Sequence, residues 1–182
     1  MTENTFKVTI HMVSSLDGII AKKDNSVSWF ETADYYEKGV EEQDPTTFLK
    51  TIDCYVMGAR TYEHALKLST SYGWAYGDTQ TIVVSHRNLP VERQNVEIYS
   101  GDVNKLVNER LKPNYTNVWL VGGATLVKEF IRFNLADEIR LSVLPVILGD
   151  GLPFFDQVEQ ELALHLKTLP PTKAAWLKCI MK

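Results

Sequence analysis

The chain has only two cysteines, Cys54 and Cys179, in 182 residues. Two cysteines are no disulfide framework. Both lie in apolar runs that read as strands, where free cysteine behaves as a small buried hydrophobe. Cationic excess is also missing. Lys and Arg number 19 against 23 Asp and Glu, for a net charge of -4. A general nucleic-acid binder needs a basic stripe, and none is visible. Any phosphate contacts must come from a few local Arg, Lys or backbone groups. No apolar run approaches transmembrane length, and the segment Met1–Lys7 lacks a signal-peptide apolar stretch. These absences predict a soluble, reduced, cytoplasmic protein with no membrane or nucleic-acid partner.

Several catalytic signatures are absent as well. There is no G-x-G-x-x-G and no G-x-x-x-x-G-K-[ST], which argues against an ordinary Rossmann domain and a P-loop kinase. The nucleophile-elbow pattern G-x-S-x-G is missing. His11, His64, His86 and His165 are scattered, with no i, i+4 pair and no CxxC, so no metal site is expected. His165 reads as structural and His64 as a surface helix residue. His11 projects from the first strand toward either core or cleft.

What remains is a chain with 45% hydrophobic residues, enough for a single domain over residues 1–182. Strands are expected at Val8–Ser14, Ile19–Ala21, Cys54–Met57, Thr81–Ser85, Val96–Tyr99 and Asn117–Val121. Helices are expected over Asp34–Gln43, Arg60–Leu68, Val103–Leu111 and from the glycines to about Phe133, with a helical turn at Thr46–Thr51. Later segments, Glu138–Leu144, Leu162–Leu169 and Ala175–Met181, alternate apolar and polar residues in the manner of half-exposed antiparallel strands. Strand–helix alternation followed by a strand-rich end predicts an α/β fold: a mixed, mostly parallel sheet with flanking helices and an antiparallel C-terminal extension.

Three strand ends carry the chemistry. Asn117–Val121 runs into Gly122-Gly123 and then a helix with Leu126, Val127, Phe130 and Ile131 at helical spacing. Glycines let backbone N–H groups approach an anion, and a helix N-terminus carries partial positive charge. The alternative is a tight turn that binds nothing. Cys54–Met57 runs into Gly58-Ala59-Arg60-Thr61 and another helix. Thr81–Val84 ends in Ser85-His86-Arg87-Asn88. If these strands are parallel neighbours, the three ends form one rim suited to a dinucleotide, since ligands gather at the carboxyl ends of such strands. Two acids stand apart. Asp17-Gly18 makes a good turn. Asp34, after Trp29, either complements a helix dipole or projects a carboxylate into an apolar cleft beside Trp29, where it could orient a heterocycle or assist protonation.

Together these residues resemble the dihydrofolate reductase-like superfamily, in particular the C-terminal reductase domain of the bifunctional riboflavin-biosynthesis deaminase–reductase. Ser15-Leu-Asp-Gly18 with Ile20-Ala21 is similar to its S-x-D-G-x-x-A segment. Gly58-Ala-Arg-Thr-Tyr-Glu63 resembles the G-[RK]-x-T-[WY]-E helix start of dihydrofolate reductases, and Val121-Gly-Gly-Ala124 their cofactor turn. Pro145–Phe155 resembles P-x-x-x-G-x-G-x-P-x-F and is the most specific of the four.

The resemblance implies a dihydrofolate reductase-like three-layer fold and an NADPH-dependent reductase of the 5-amino-6-(5-phosphoribosylamino)uracil reductase type, working as a homodimer. It places Gly122, Gly123, Ala124, Thr125 and Leu126 along the pyrophosphate and nicotinamide, with a cis Gly122–Gly123 peptide. Gly58, at the helix start, also binds the cofactor, Arg60 and Thr61 hold phosphates, and Ser85, His86 and Arg87 surround the 2′-phosphate. Asp17, Gly18 and Ile20 belong to the loop over the nicotinamide. His11, Asp17, Trp29 and Asp34 face the substrate, with Asp34 the catalytic candidate. His11 stands where the riboflavin-pathway enzymes carry lysine, and Ala59 where a basic residue is usual. Two other functions remain open: a pterin reductase, favoured by the Trp29–Asp34 spacing, and an NADPH-binding module without catalysis.

Overall fold

The computed structural model describes residues 5–32, 45–155, 158, 161–168 and 175–181. Its strands are β1 (Lys7–Ser15), β2 (Ile19–Ala21), β3 (Cys54–Gly58), β4 (Gln80–Val84), β5 (Val96–Tyr99), β6 (Asn117–Gly122), β7 (Glu138–Leu144), β8 (Leu152–Pro153), β9 (Leu164–Thr168) and β10 (Ala175–Met181). Eight of them form one sheet in the order β5-β4-β3-β6-β1-β7-β10-β9, and β2 pairs with β8 separately. From β5 to β7 every neighbouring pair is parallel. β10 returns antiparallel to β7, and β9 antiparallel to β10.

Strands buried on both faces need apolar residues on both sides of the pleat, and β3 and β6 supply them, whereas β1 is apolar along Val8 and Ile10 and carries Lys7, Thr9 and His11 on its other face. On one face Val8, Ile10, Val56 and Leu120 meet Leu106 and Leu111, together with Phe130 and Ile131 of helix α5 (Ala124–Arg132). On the other, Tyr55, Met57 and Val83 meet Tyr62 of helix α2 (Ala59–Tyr72), with Phe48 of α1 (Pro45–Leu49) and Trp119 alongside. The result is helix, sheet, helix: the dihydrofolate reductase-like architecture. The helical stretch after β5 comprises α3 (Val103–Lys105), a π-helical segment Leu106–Leu111, and α4 (Lys112–Asn114). It starts where Asp102 accepts a hydrogen bond from the Lys105 amide at 3.1 Å, an N-cap of the ordinary kind.

The structure differs from the sequence reading in three places. β7 pairs parallel to β1 as well as antiparallel to β10. Its alternating pattern reflects a position at the border between the buried parallel sheet and the more exposed hairpin, not an all-antiparallel setting. α2 continues to Tyr72 before Gly73 ends it. β2 does not extend β1, because the Asp17-Gly18 turn sends it out of the main sheet to pair with β8, a strand too short to register in the sequence. The helix expected over Asp34–Gln43 lies outside the described residues.

Gly151 holds that small sheet in place. Its φ of +146° is open to glycine and strained for other residues. A Cβ there would lie 2.3 Å from the Ala21 carbonyl oxygen. Gly151→Ala should therefore destabilise the protein by about 2 kcal/mol or more, read as a fall in the thermal midpoint of about 5 °C or more. An unchanged midpoint would mean that β2 and β8 are not packed this closely.

Candidate functional site

Because β4, β3 and β6 are parallel neighbours, their C-terminal ends deliver Ser85, Gly58 and Gly122 to one rim of the sheet. The Gly122–Gly123 peptide is cis, and Gly122 has φ +126°. A Cβ on Gly122 would stand 3.2 Å from Met12 Cε, so the position has neither the conformation nor the room for a side chain. Gly58 faces the same peptide. The place its Cβ would occupy is 3.8 Å from both the Gly122 carbonyl oxygen and the Gly123 nitrogen.

Two helices begin here. Gly58 is the N-cap of α2, 14 residues long, and Gly123 the N-cap of α5, 9 residues long. Neither has a side-chain cap, so the first amides of both helices lack the partner a Ser or Asp cap would give them. Thr61 Oγ1 lies 3.4 Å from the site of a Gly123 Cβ. Ala124 and Leu126 are buried and anchor α5, whereas Thr125 is exposed at the rim. Paired helix starts with a hydroxyl between them make a setting for an anion.

One strand further along, Ser85 is buried. Its amide donates to the Tyr99 carbonyl at 2.9 Å, and its Oγ accepts from the Arg87 amide at 2.9 Å. These bonds shape the turn, leaving His86 and Arg87 exposed. The Arg87 guanidinium is not free. It forms a two-pronged ion pair with Glu63 of α2, Nη1 to Oε2 at 3.1 Å and Nη2 to Oε1. The sequence offered Glu63 only as part of a helix-start motif, since nothing local joins residues 24 apart. Arg60 is exposed at the head of α2.

On the other side of the rim, Asp17 acts as a clip. Its carboxylate accepts from Ser15 Oγ at 2.6 Å, from the Leu148 amide at 3.1 Å and from the Gly149 amide at 2.7 Å. The Ser15 hydroxyl in particular, and then the Gly149 amide, hold the carboxyl down at about 2. Ser15 Oγ in turn accepts from the Ile19 amide at 2.9 Å, and the Phe154 amide donates to the Gly18 carbonyl at 2.8 Å. Ile20 and Phe154 are buried below. The Ser15–Ala21 and Pro145–Phe155 segments are thus one unit. The Asp17 carboxylate, expected to contact substrate, is engaged by the chain's own donors.

The remaining expected residues separate. Trp29 is buried at 2% exposure, edge-on to Phe30 at 4.5 Å, so it serves as core. Asp34 lies outside the described residues. His11 faces the α1 and α2 side of the sheet, stacked on Trp119 at 5.0 Å and edge-on to Phe48 at 5.2 Å. Burial, and then the charge of Arg140, pull its pKa down to about 4, so the imidazole is neutral at physiological pH. Its Nε2 is 3.4 Å from Ser142 Oγ. Phe48 comes from α1, Trp119 from β6, and Arg140 and Ser142 from β7, and periodicity gave no sign that the three elements meet here. Among the described residues no His, Cys, Asp or Glu group could hold a metal ion, and no helix is long and apolar enough to cross a membrane.

Comparison with known proteins places this geometry. The family model described as RibD C-terminal domain matches residues 6–176. The uncharacterized protein YwjB of Bacillus subtilis (strain 168) is 30% identical over 161 residues, covering 88% of this chain and 89% of that protein. YyaP of the same organism is 29% identical over 174 residues, 88% of this chain and 86% of its own. A Shewanella sp. PV-4 structure, provisionally named a riboflavin biosynthesis protein, superposes with a TM-score of 0.81 at 20% identity over 97% of this chain and 99% of that one.

The Asp17 clip has a signed pH dependence. Its folded pKa is depressed from 3.8 to about 2, so its contribution is complete above about pH 4 and is lost as pH falls through about 2. Hydrogen exchange should show protection factors at Leu148 and Gly149 falling over that window, and Asp17→Asn should lower them already at pH 7. Protection that holds unchanged to pH 2 would remove the clip.

Proposed function

The chain belongs to the RibD C-terminal domain family, and from that premise we propose that it is an NADPH-dependent reductase acting on a small heterocyclic or ribosylamino substrate. The observation that carries the reading is the meeting of two glycine-capped helix starts at the Gly122–Gly123 peptide, with Thr61 between them. Gly122 has neither the conformation nor the room for a side chain, and the first amides of both helices have no side-chain cap to compete with a pyrophosphate. The residues therefore fit the cofactor.

In this reading Gly58, Gly122, Gly123 and the amides of Ala124 to Leu126 hold the pyrophosphate side, with Arg60 and Thr61 donating to phosphate. Ser85 sets the turn that presents His86 and Arg87 to a 2′-phosphate. The loop through Gly18 and Ile20, held by Asp17, covers the nicotinamide and excludes water. When bound, NADPH supplies a hydride for a C=N or C=O carbon. The chain orients that carbon, and Asp34 orients the substrate or delivers the proton. His11, being neutral and standing in place of a lysine, favours a substrate other than the riboflavin precursor. A second copy of the chain would cover Leu164 and Leu166, which are 43% and 51% exposed on edge strand β9; light scattering at a single-chain mass would dismiss the dimer.

NADPH oxidation measured side by side against dihydrofolate and the ribosylamino-pyrimidine precursor tests the activity. Asp34→Asn should cut turnover at least tenfold, as loss of a general acid does, with little change in NADPH affinity. NADPH binding with no turnover on either substrate class would favour the non-catalytic module.

Cofactor choice gives a second check. Arg87→Ala with Arg60→Ala should weaken NADPH more than NADH. Glu63→Gln should do the reverse, tightening NADPH by up to about fivefold, the scale of an exposed ion pair. Equal effects on the two nucleotides would refute the 2′-phosphate assignment.

A further inference from the structure

Arg140 stands on the His11 face of the sheet, and its Nε is buried with no hydrogen-bond partner among the described residues. It pairs with His11 in the β1–β7 register. Its guanidinium lies 4.1 Å above the Phe48 ring, a seat that suits a planar cation. Its side chain is 21% exposed. Among the described residues it makes no hydrogen bond: Nε is buried without a partner, and the nearest acceptor, Glu138 Oε2, is 3.6 Å away.

That acceptor is already shared. Glu138 Oε2 also lies 3.5 Å from Lys7 Nζ and 3.5 Å from Thr9 Oγ1. Among the described residues the acid within ion-pair distance of Arg140 is Glu138, and Lys7 shares it. Burial works against the charged form of Arg140, yet an arginine stays protonated. A half-buried charge with idle donors is costly unless something supplies the missing acceptors.

Its place relates it to the rim. β6, β1 and β7 are adjacent, and Arg140 sits one residue below the level of Gly122 and two strands across. At the usual strand spacing that separation is about 10 Å, within the length of a small two-ended substrate.

We propose that Arg140, seated on Phe48 beside His11 and Ser142, reads a carboxylate on the substrate. The inference rests on the reductase reading for where the other end of that substrate lies. A guanidinium fork matches the two oxygens of a carboxylate. One guanidinium supplies one positive charge, which matches a monoanion and falls short of a phosphate dianion. The neutral imidazole adds no second charge, and with the Ser142 hydroxyl it offers a polar edge beside the fork.

Tryptophan fluorescence tests this directly, because Trp119 stacks on His11. The full chain is titrated with benzoate, benzamide and phenyl phosphate at constant ionic strength, with and without NADPH. Benzoate should bind about tenfold more tightly than either of the others, equivalent to 1.4 kcal/mol. Arg140→Met should abolish the preference for benzoate over benzamide, and Arg140→Lys should restore it in part. Equal binding of benzoate and benzamide by the unaltered chain overturns the proposal, as does a preference for phenyl phosphate. So does a benzoate preference that survives in Arg140→Met. NADPH affinity, read in the same titrations, reports on the reductase reading separately: a chain that prefers benzoate through Arg140 and fails to bind NADPH keeps the carboxylate site and loses the cofactor.

Discussion

The contact between Gly58 and the Gly122–Gly123 peptide is the constraint from which the rim follows. β3 and β6 run parallel, but their register shifts between Val56 and Met57, so that Met57 comes opposite Gly122. The shift brings Gly58 toward the Gly122–Gly123 peptide, the place its Cβ would occupy lying 3.8 Å from the Gly122 oxygen and the Gly123 nitrogen. Both strands then turn at once into helices on opposite faces of the sheet. The two helix starts meet where Gly122, at φ +126° and with Met12 Cε 3.2 Å from its Cβ position, leaves no room for a side chain. Thr61 and Thr125 follow in the first turn of their helices, and Ser85 takes its place one strand away because β4 pairs with β3 in register.

A second constraint closes the opposite side. Asp17 and Gly149 are 132 residues apart in sequence, yet one carboxylate joins them. The hydrogen bonds are to a charged acceptor, which makes them stronger than neutral ones, and they satisfy backbone amides that would otherwise face solvent in an irregular loop. Gly151 permits the approach and Phe154 fills the core beneath it. The two resembling motifs at Ser15–Ala21 and Pro145–Phe155 therefore have one physical cause. Each glycine, the aspartate and the phenylalanine is needed for the other segment to lie where it does.

How much of this was legible in the sequence depends on whether the signal is local. The three strand ends were legible because glycine, threonine and serine after an apolar run mark a change of backbone direction, and because parallel strands put such changes on one edge. The cis Gly122–Gly123 bond followed from the resemblance. What was not legible lies across the sheet. Glu63 meets Arg87, and Phe48 meets Arg140, through tertiary contacts that leave no periodicity. Trp29 was expected in the cleft because it precedes an acid. Its burial shows that spacing alone does not tell a pocket wall from core. The parallel pairing of β7 was missed because a strand at the border of two environments shows the alternation of the more exposed one.

The cations of the two halves of the cleft differ in kind. Arg60, His86 and Arg87 are exposed, where water and salt screen them and one is already paired with Glu63; their contribution to affinity is modest and their main effect is on which anion is drawn in. In the proposed reading, holding a pyrophosphate falls to the backbone amides, whose positions are fixed by the fold and need no side-chain ordering. Arg140 is half-buried, and among the described residues the acid beside it, Glu138, is shared with Lys7. An exposed cation loses little when its partner is absent, whereas a buried one loses much. Discrimination between substrates should therefore reside at Arg140 on β7, and in the proposed reading the nucleotide's pyrophosphate is held at the glycine end by the backbone while the exposed cations there act on its 2′-phosphate.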